Sequence, residues 1–261
     1  MQQANQNRKK NIVFFTGYPR VDRLELIHDS NHSVSCVVVP AAKKYLKNLE
    51  PLFLFCQERS IRIEVIRKKN FDPIKDVSSK QNMLISSGYP EIIPEDVFSC
   101  FDSALNFHPT LLPKNRGRYL HYILINREEY SGCTLHLIDS GVDSGPIVAQ
   151  AKFPVTDFDT VKSLQRKSDE QELELLKMFL RDSENLIRSA KPQDHNQSTT
   201  YIEKRTPEDS ALDESMTLKE AFYALRAFDP ELYPGFIDIN GERVAFTVRR
   251  LEKPAGEDDL I

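Results

Sequence analysis

Two polar side chains two residues apart, Asn106 and His108, end an apolar run in the stretch NFHPTLLPKNRG, residues 106–117. In an extended strand alternate residues face the same way, about 7 Å apart along the chain, so an amide and an imidazole placed there can reach one small polar group. The amide would donate hydrogen bonds to it, and the imidazole would exchange a proton near neutral pH. Pro109 pins the backbone after the histidine and Pro113 restricts the loop further, which preorganises the pair. A carboxylate partner is on offer in DSGVDSG, residues 139–145, which carries Asp139 and Asp143 among glycines. Each feature alone also has a plainer reading. A histidine near a strand end is commonly structural, an asparagine there commonly caps a turn, and a Gly- and Asp-rich loop is commonly just a turn. An EF-hand calcium loop is discounted, because the spacing differs and the terminal Glu is missing.

The elements that would carry these residues are short apolar runs bounded by turn residues. NIVFFTG (11–17), SVSCVVV (33–39), IRIEVIR (61–67), QNMLISSG (81–88) and SALNFHP (103–109) read as strands. Residues 41–60 suit a helix that Pro51 would kink or split. Strands alternating with helices imply βαβ units, an α/β fold and a mostly parallel central sheet. The asparagine and histidine then stand at the C-terminal end of the fifth strand, where open α/β sheets collect ligands. Short helices are predicted from Pro94 and over 118–126, and a strand, loop, strand unit over 131–155. One long amphipathic helix is predicted between 157 and 190. A polar stretch at 191–205 reads as a linker with almost nothing to bury. Beyond it, a helix over 217–228 and a hairpin turning at Asn240-Gly241 make a small C-terminal subdomain at 206–261. The catalytic domain is expected over 11–190, behind a disordered N-terminus at 1–10. His136, on a strand between apolar neighbours, reads as structural.

Composition narrows the function. The chain has 261 residues, 40% of them hydrophobic, enough for a sizeable core. Its formal net charge is −4. From Pro207 to Ile261 thirteen acidic residues face six basic ones, so a phosphate backbone would be repelled and no nucleic-acid partner is expected. There is no run of eighteen apolar residues and no hydrophobic leader, so no membrane partner and a cytoplasmic location are expected. Four irregularly spaced cysteines form no ligand cluster, and they read as buried thiols, with neither disulfide nor metal.

NFHPTLLPKNRG, followed by SGCTLHLIDSGVDSGPIVAQ, resembles the signature of the formyltransferases that use N10-formyltetrahydrofolate. The resemblance spans roughly residues 80–155 strongly, and it implies a Rossmann-like formyltransferase fold with a catalytic triad of Asn106, His108 and Asp143. An amide and an imidazolium would stabilise the oxyanion of a tetrahedral intermediate, and the carboxylate would help remove the attacking amine's proton. For the folate, the resemblance implies a cleft formed by Ser86, Ser87, Gly88 and Tyr89, with Ile92 and Ile93 as apolar walls and Asp139 and Gly141 from the later loop. SSGY alone would be a plain strand-to-loop turn. N10-formyltetrahydrofolate would be a co-substrate, with no metal.

The chain departs from the family's pattern in two places. It has no Trp, and His121 and Tyr122 stand where a Trp-bearing helix usually follows the Arg-Gly pair. Asn115 stands where a bulkier residue is usual. The tail is similar to that of sugar-nucleotide N-formyltransferases of surface-polysaccharide synthesis, such as O-antigen and lipopolysaccharide. This implies a nucleotide-linked 4-amino-4,6-dideoxy sugar as acceptor, GDP-perosamine or a dTDP-linked sugar, and by analogy a homodimer. Arg116, Arg118, Tyr122, Tyr233 and Phe236 are the candidate acceptor contacts. The alternatives are glycinamide ribonucleotide or methionyl-tRNA as acceptor, or an inactive folate or nucleotide-sugar binding module.

Overall fold

The five apolar runs of the first 110 residues are all strands. In chain order the elements are β1 (Asn11–Phe15), α1 (Val21–His28), β2 (Ser33–Pro40), α2 (Lys43–Leu46), α3 (Glu50–Glu58), β3 (Arg62–Ile66), β4 (Asn82–Ser87), α4 (Glu95–Phe98) and β5 (Ser103–His108). The structure is a computed structural model and describes residues 9–117, 120–203 and 205–252. Ile12, Val13, Phe14 and Phe15 are all fully buried, so β1 has both faces covered, as a central parallel strand requires. Pro51 stands in the first turn of α3, where its missing N–H costs nothing; the helix expected over 41–60 is therefore two helices. Helix α1 was not expected. Its apolar face is only Leu24 and Ile27 with a buried Arg23 among them, which blurs the helical period.

The chain continues through β6 (Arg116–Gly117), α5 (Leu120–Ile125), β7 (Tyr130–Leu137), β8 (Ile147–Pro154), α6 (Val161–Arg181), α7 (Ser183–Arg188), β9 (Thr200–Tyr201), α8 (Leu218–Arg226), β10 (Gly235–Ile239) and β11 (Glu242–Phe246). The expected long helix is thus interrupted at Asp182. Seven strands form the main sheet in the order β3-β2-β1-β4-β5-β7-β8. The first five run parallel, and β7 pairs antiparallel with β5. The chain leaves β1 toward β2 and β3 and returns to β4 on the other side, so the strand order reverses between β1 and β4, the place where such sheets open a crevice. In the small hairpin Asn240 and Gly241 have φ of +52° and +85°, the left-handed pair that a tight two-residue turn demands.

Contacts divide the chain into two compact units that interleave in sequence. One comprises residues 1–108, 134–150 and 172–193, and the other 109–133, 151–171 and 194–261. The expected boundaries at 190 and 206 do not coincide with this division. The first unit's core packs Val13, Phe15, Val38, Leu84 and Phe101, among others. The second packs Leu120, Ile123, Phe153, Leu164 and Phe228. Residues 191–193 belong to the first unit and 194–205 to the second. Lys191 exchanges two backbone hydrogen bonds with Ile147 at 2.8 and 2.9 Å, Gln193 is buried, and β9 pairs with β6. One polar side chain in this stretch, Gln193, is buried against backbone carbonyls, which a reading for apolar surface passes over. Residues 1–8 of the expected disordered N-terminus lie outside the described residues, and Lys10 is held by an ion pair to Asp102 at 2.7 Å. Three cysteines are buried and Cys100 is exposed, contrary to the expectation that all four are buried.

Candidate active site

Strand pairing assembles the site. Asn106 on β5 lies opposite His136 on β7 and beside Ser86 on β4, so three strands present polar residues at one level of the sheet. Into this level the 139–145 loop brings Asp143. Its Oδ2 lies 3.4 Å from His108 Nδ1 and its Oδ1 3.5 Å from His136 Nε2. Asn106 Nδ2 lies 3.4 Å from Asp143 Oδ1 and 3.2 Å from His136 Nε2. The His136 Nδ1–H donates to the Leu137 carbonyl at 2.8 Å. Its Nε2 faces both the Asn106 amide and Asp143 Oδ1. The side chain of His108 is 4% exposed and that of Asp143 17%, so their attraction is only partly screened. The three residues expected to act together are therefore together, and His136 joins them.

The loop's conformation is built in. Asp143 has φ +47°, a left-handed conformation uncommon outside glycine and best tolerated by Asn and Asp. The Asp139 carboxylate accepts from Gly141 N at 3.1 Å and from Ser144 Oγ at 2.7 Å, bracing the turn that leads to Asp143. At Gly145 a Cβ would lie 1.9 Å from the Leu137 carbonyl oxygen, so no other residue fits. Asp139 and Gly141, expected to line the donor cleft, have here the visible task of shaping this loop.

The segment expected to read the folate follows β4. Ser86 and Ser87 are buried, and the Ser87 hydroxyl donates to Glu172 Oε1, which also accepts from Arg23 Nε at 3.1 Å. Gly88 has φ +69°, and a Cβ there would lie 2.7 Å from the Tyr18 ring. The Tyr89 ring meets Phe15 edge-on at 5.2 Å, and burial raises its hydroxyl's pKa above the ordinary value. Ile92 is 70% exposed, whereas Ile93 is buried in the first unit's core and so is a core residue rather than a cleft wall.

The candidate acceptor contacts that the structure describes belong to the second unit. The Arg116 guanidinium is buried and reaches His195 Nδ1 at 3.2 Å, and its backbone N–H donates to Thr199 O at 2.8 Å. Tyr122 stacks face to face on Tyr201, centroids 3.6 Å apart. Phe236 is 4% exposed beneath Arg243, whose guanidinium lies 3.9 Å from the ring; it is a core residue, not a platform for a base. Tyr233 is half-buried, and its carbonyl accepts from Ser210 Oγ at 3.0 Å. Arg118 lies outside the described residues. His121 is buried, and burial, aided by the Arg205 charge, pushes its pKa down to about 4. Asn115, at φ +56°, donates through Nδ2 to Glu128 at 2.9 Å, so a compact residue able to adopt a left-handed backbone stands there.

Among the described residues, no group of three or more His, Cys, Asp and Glu could hold a metal ion, and no helix is long and apolar enough to cross a membrane. Reasoning from sequence missed Glu172 and Gln193, both buried polar residues. His136 was noticed but read as structural. Its position opposite Asn106 is a matter of register, which its alternation with apolar neighbours hints at but does not settle.

An open, doubly wound sheet brings an amide, an imidazole and a carboxylate together at a strand end, groups of the kind that can stabilise an oxyanion and accept a proton. Residues 10–180 match the family model described as formyl transferase; the chain belongs to the formyl transferase family. A methionyl-tRNA formyltransferase of Kosmotoga olearia is 33% identical over 184 residues, 68% of this chain, and the match spans 56% of that protein's length. Among solved structures, a 4-N formyltransferase from Francisella tularensis superposes with a TM-score of 0.73 at 22% identity, covering 94% of this chain and 99% of the other. An N-formyltransferase from Helicobacter canadensis, in complex with folinic acid and dTDP-3-aminofucose, superposes with a TM-score of 0.70 at 21% identity, covering 91% and 86%. At these identities the likeness is one of fold.

Proposed function

We propose that the protein transfers a formyl group from N10-formyltetrahydrofolate to the amine of a nucleotide-linked 4-amino-4,6-dideoxy sugar, GDP-perosamine or a dTDP-linked sugar, for a surface polysaccharide. The reaction follows from the cluster around Asp143. The acceptor amine attacks the formyl carbon, and negative charge collects on the formyl oxygen. Asn106, through its amide, and His108, as imidazolium, donate to that oxygen, while Asp143 takes the proton the amine sheds. Collapse of the intermediate breaks the bond to the folate nitrogen, which leaves with the proton that Asp143 took from the amine, so the carboxylate is restored. In this reading the donor lies along Ser86, Ser87, Gly88 and Tyr89, beside Asn106, with Ile92 at its edge. Arg116, Arg118, Tyr122 and Tyr233 remain the proposed acceptor contacts. The setting proposed is cytoplasmic, as a homodimer.

The observation that carries the acceptor class is coverage. The Francisella tularensis 4-N formyltransferase matches over 99% of its own length, whereas methionyl-tRNA formyltransferases match over 56 to 82% of theirs, one of them across 95% of this chain. The acidic tail, thirteen acidic residues against six basic, also opposes a tRNA backbone. The Kosmotoga olearia relative's 33% identity nonetheless makes methionyl-tRNA the second reading. The test offers purified protein N10-formyltetrahydrofolate with GDP-perosamine, dTDP-4-amino-4,6-dideoxyglucose, glycinamide ribonucleotide and charged methionyl-tRNA in parallel. Formylation of one sugar nucleotide alone supports the proposal, and formylation of the tRNA or the ribonucleotide replaces it. Tetrahydrofolate release without a formylated product would indicate hydrolysis of the donor, and no turnover with any acceptor would leave a binding module.

A further inference from the structure

The stretch read from sequence as a polar linker delivers one side chain onto the backbone of the proposed proton acceptor. Gln193 is 6% exposed, and its Nε2 lies 2.9 Å from the Asp143 carbonyl oxygen and 2.7 Å from that of Gly145. One amide group thus donates to two carbonyls that flank the left-handed turn, at Asp143 itself and two residues later. The segment is fixed just before this by the paired backbone hydrogen bonds between Lys191 and Ile147, so the glutamine enters from a rigid base. At the turn, Asp143 holds φ +47°, a left-handed conformation that surrounding structure must maintain when the residue is not glycine.

We infer that Gln193 is a positioning residue for Asp143. It holds the Asp143 peptide in the conformation that aims the carboxylate at His108, from β5, and at His136, from β7, and it touches no reacting atom. The inference rests on the proposal that Asp143 accepts the amine's proton. It gives the end of α7 and the start of the linker a role in formyl transfer. Asp139 braces the other limb of the loop through Gly141 and Ser144, so the carboxylate is held from both sides.

The test uses the full chain with Gln193→Met, which keeps side-chain length and removes both donated hydrogen bonds, and Gln193→Glu, which keeps shape and removes the N–H groups. Displacement of a reacting group by about 1 Å costs on the order of a hundredfold in rate. We expect kcat to fall about ten- to a hundredfold in both variants, with KM for folate and acceptor within about twofold of native and a folded far-UV spectrum. Native protein and Asp143→Asn run alongside. A native protein without transfer overturns the reading of function. Active native protein with either folded variant at native kcat overturns the inference, as does a loss confined to KM. Should Gln193→Met fail to fold, Gln193→Glu decides.

Discussion

Replacing Asp143 by Asn isolates the charge of the carboxylate from everything else the residue does. Asn is close to isosteric, tolerates the left-handed backbone at φ +47° as well as Asp does, and leaves the backbone carbonyl that Gln193 holds. Ala would add backbone strain and confuse the result. Two consequences follow from the distances. The proposed proton acceptor is lost, and a positioned acid or base typically contributes about a hundred- to ten-thousandfold in rate. The His108 imidazolium also loses its counter-charge. At 3.4 Å and an effective dielectric constant of about 20, unit charges attract by about 5 kcal/mol, a ceiling that the partial exposure of Asp143 lowers. Even about 1.4 kcal/mol of it is a tenfold change in the protonation equilibrium.

The expected outcome for Asp143→Asn is therefore a kcat reduced at least about a hundredfold. KM for the folate donor stays within about threefold, because neither shape nor backbone changes. The assay is formyl transfer under saturating donor and acceptor, followed by tetrahydrofolate release between pH 5.5 and 9. A kcat within about tenfold of native would refute the assignment of Asp143 as proton acceptor.

Two further predictions concern stability. His121 is buried, with its folded-state pKa near 4 against an ordinary 6.5, and His32 is shifted in the same direction by burial. A depressed histidine leaves stability intact above about pH 6.5, and stability is lost as pH falls toward 4, because there the unfolded chain binds a proton that the folded chain refuses. From pH 7 to pH 5 the His121 contribution alone falls by about 2 kcal/mol, so urea denaturation should show a loss that His121→Gln reduces. Glu172→Ala removes one of the two carboxylates paired with the buried Arg23 guanidinium, leaving Asp22 at 2.6 Å, and removes the acceptor of Ser87. Breaking a buried pair from one side costs at most about 3 to 5 kcal/mol, less here because Asp22 remains, and a denaturation midpoint at the native value would show that the pair is solvated in solution.

The parallel strands of the sheet were legible in the sequence because a central parallel strand is a short continuous apolar run bounded by turn residues. Helix α1 escaped because its buried face includes Arg23, whose charge is answered by Glu172, about 150 residues later. The cluster proposed as catalytic was legible in Asn106 and His108, whose alternation is local, and in Asp143, whose glycine-flanked loop is local too. His136 and Gln193 were not, since what gives each its meaning is a cross-strand register in one case and two backbone carbonyls in the other. Phe236 and Ile93 went astray the opposite way: an aromatic or aliphatic side chain beside a site has the same letter whether it faces a ligand or the core, and here the core claims both.

The same distinction says where the proposed chemistry is vulnerable. The residues that would touch the formyl group are spelled out in one short motif, but their geometry is held by groups scattered along the chain: Glu172 under Ser87 and Gln193 under Asp143. In each of these contacts a buried polar side chain is spent on a backbone carbonyl or a hydroxyl rather than on solvent, and its loss leaves a polar group without compensation at a cost of about 1 to 3 kcal/mol. A chain that kept the Asn106, His108 and Asp143 motif and lost Gln193 would still read as a formyltransferase, and on the present geometry it would be a slow one. The supporting contacts therefore belong in any reading of competence from sequence alongside the motif itself.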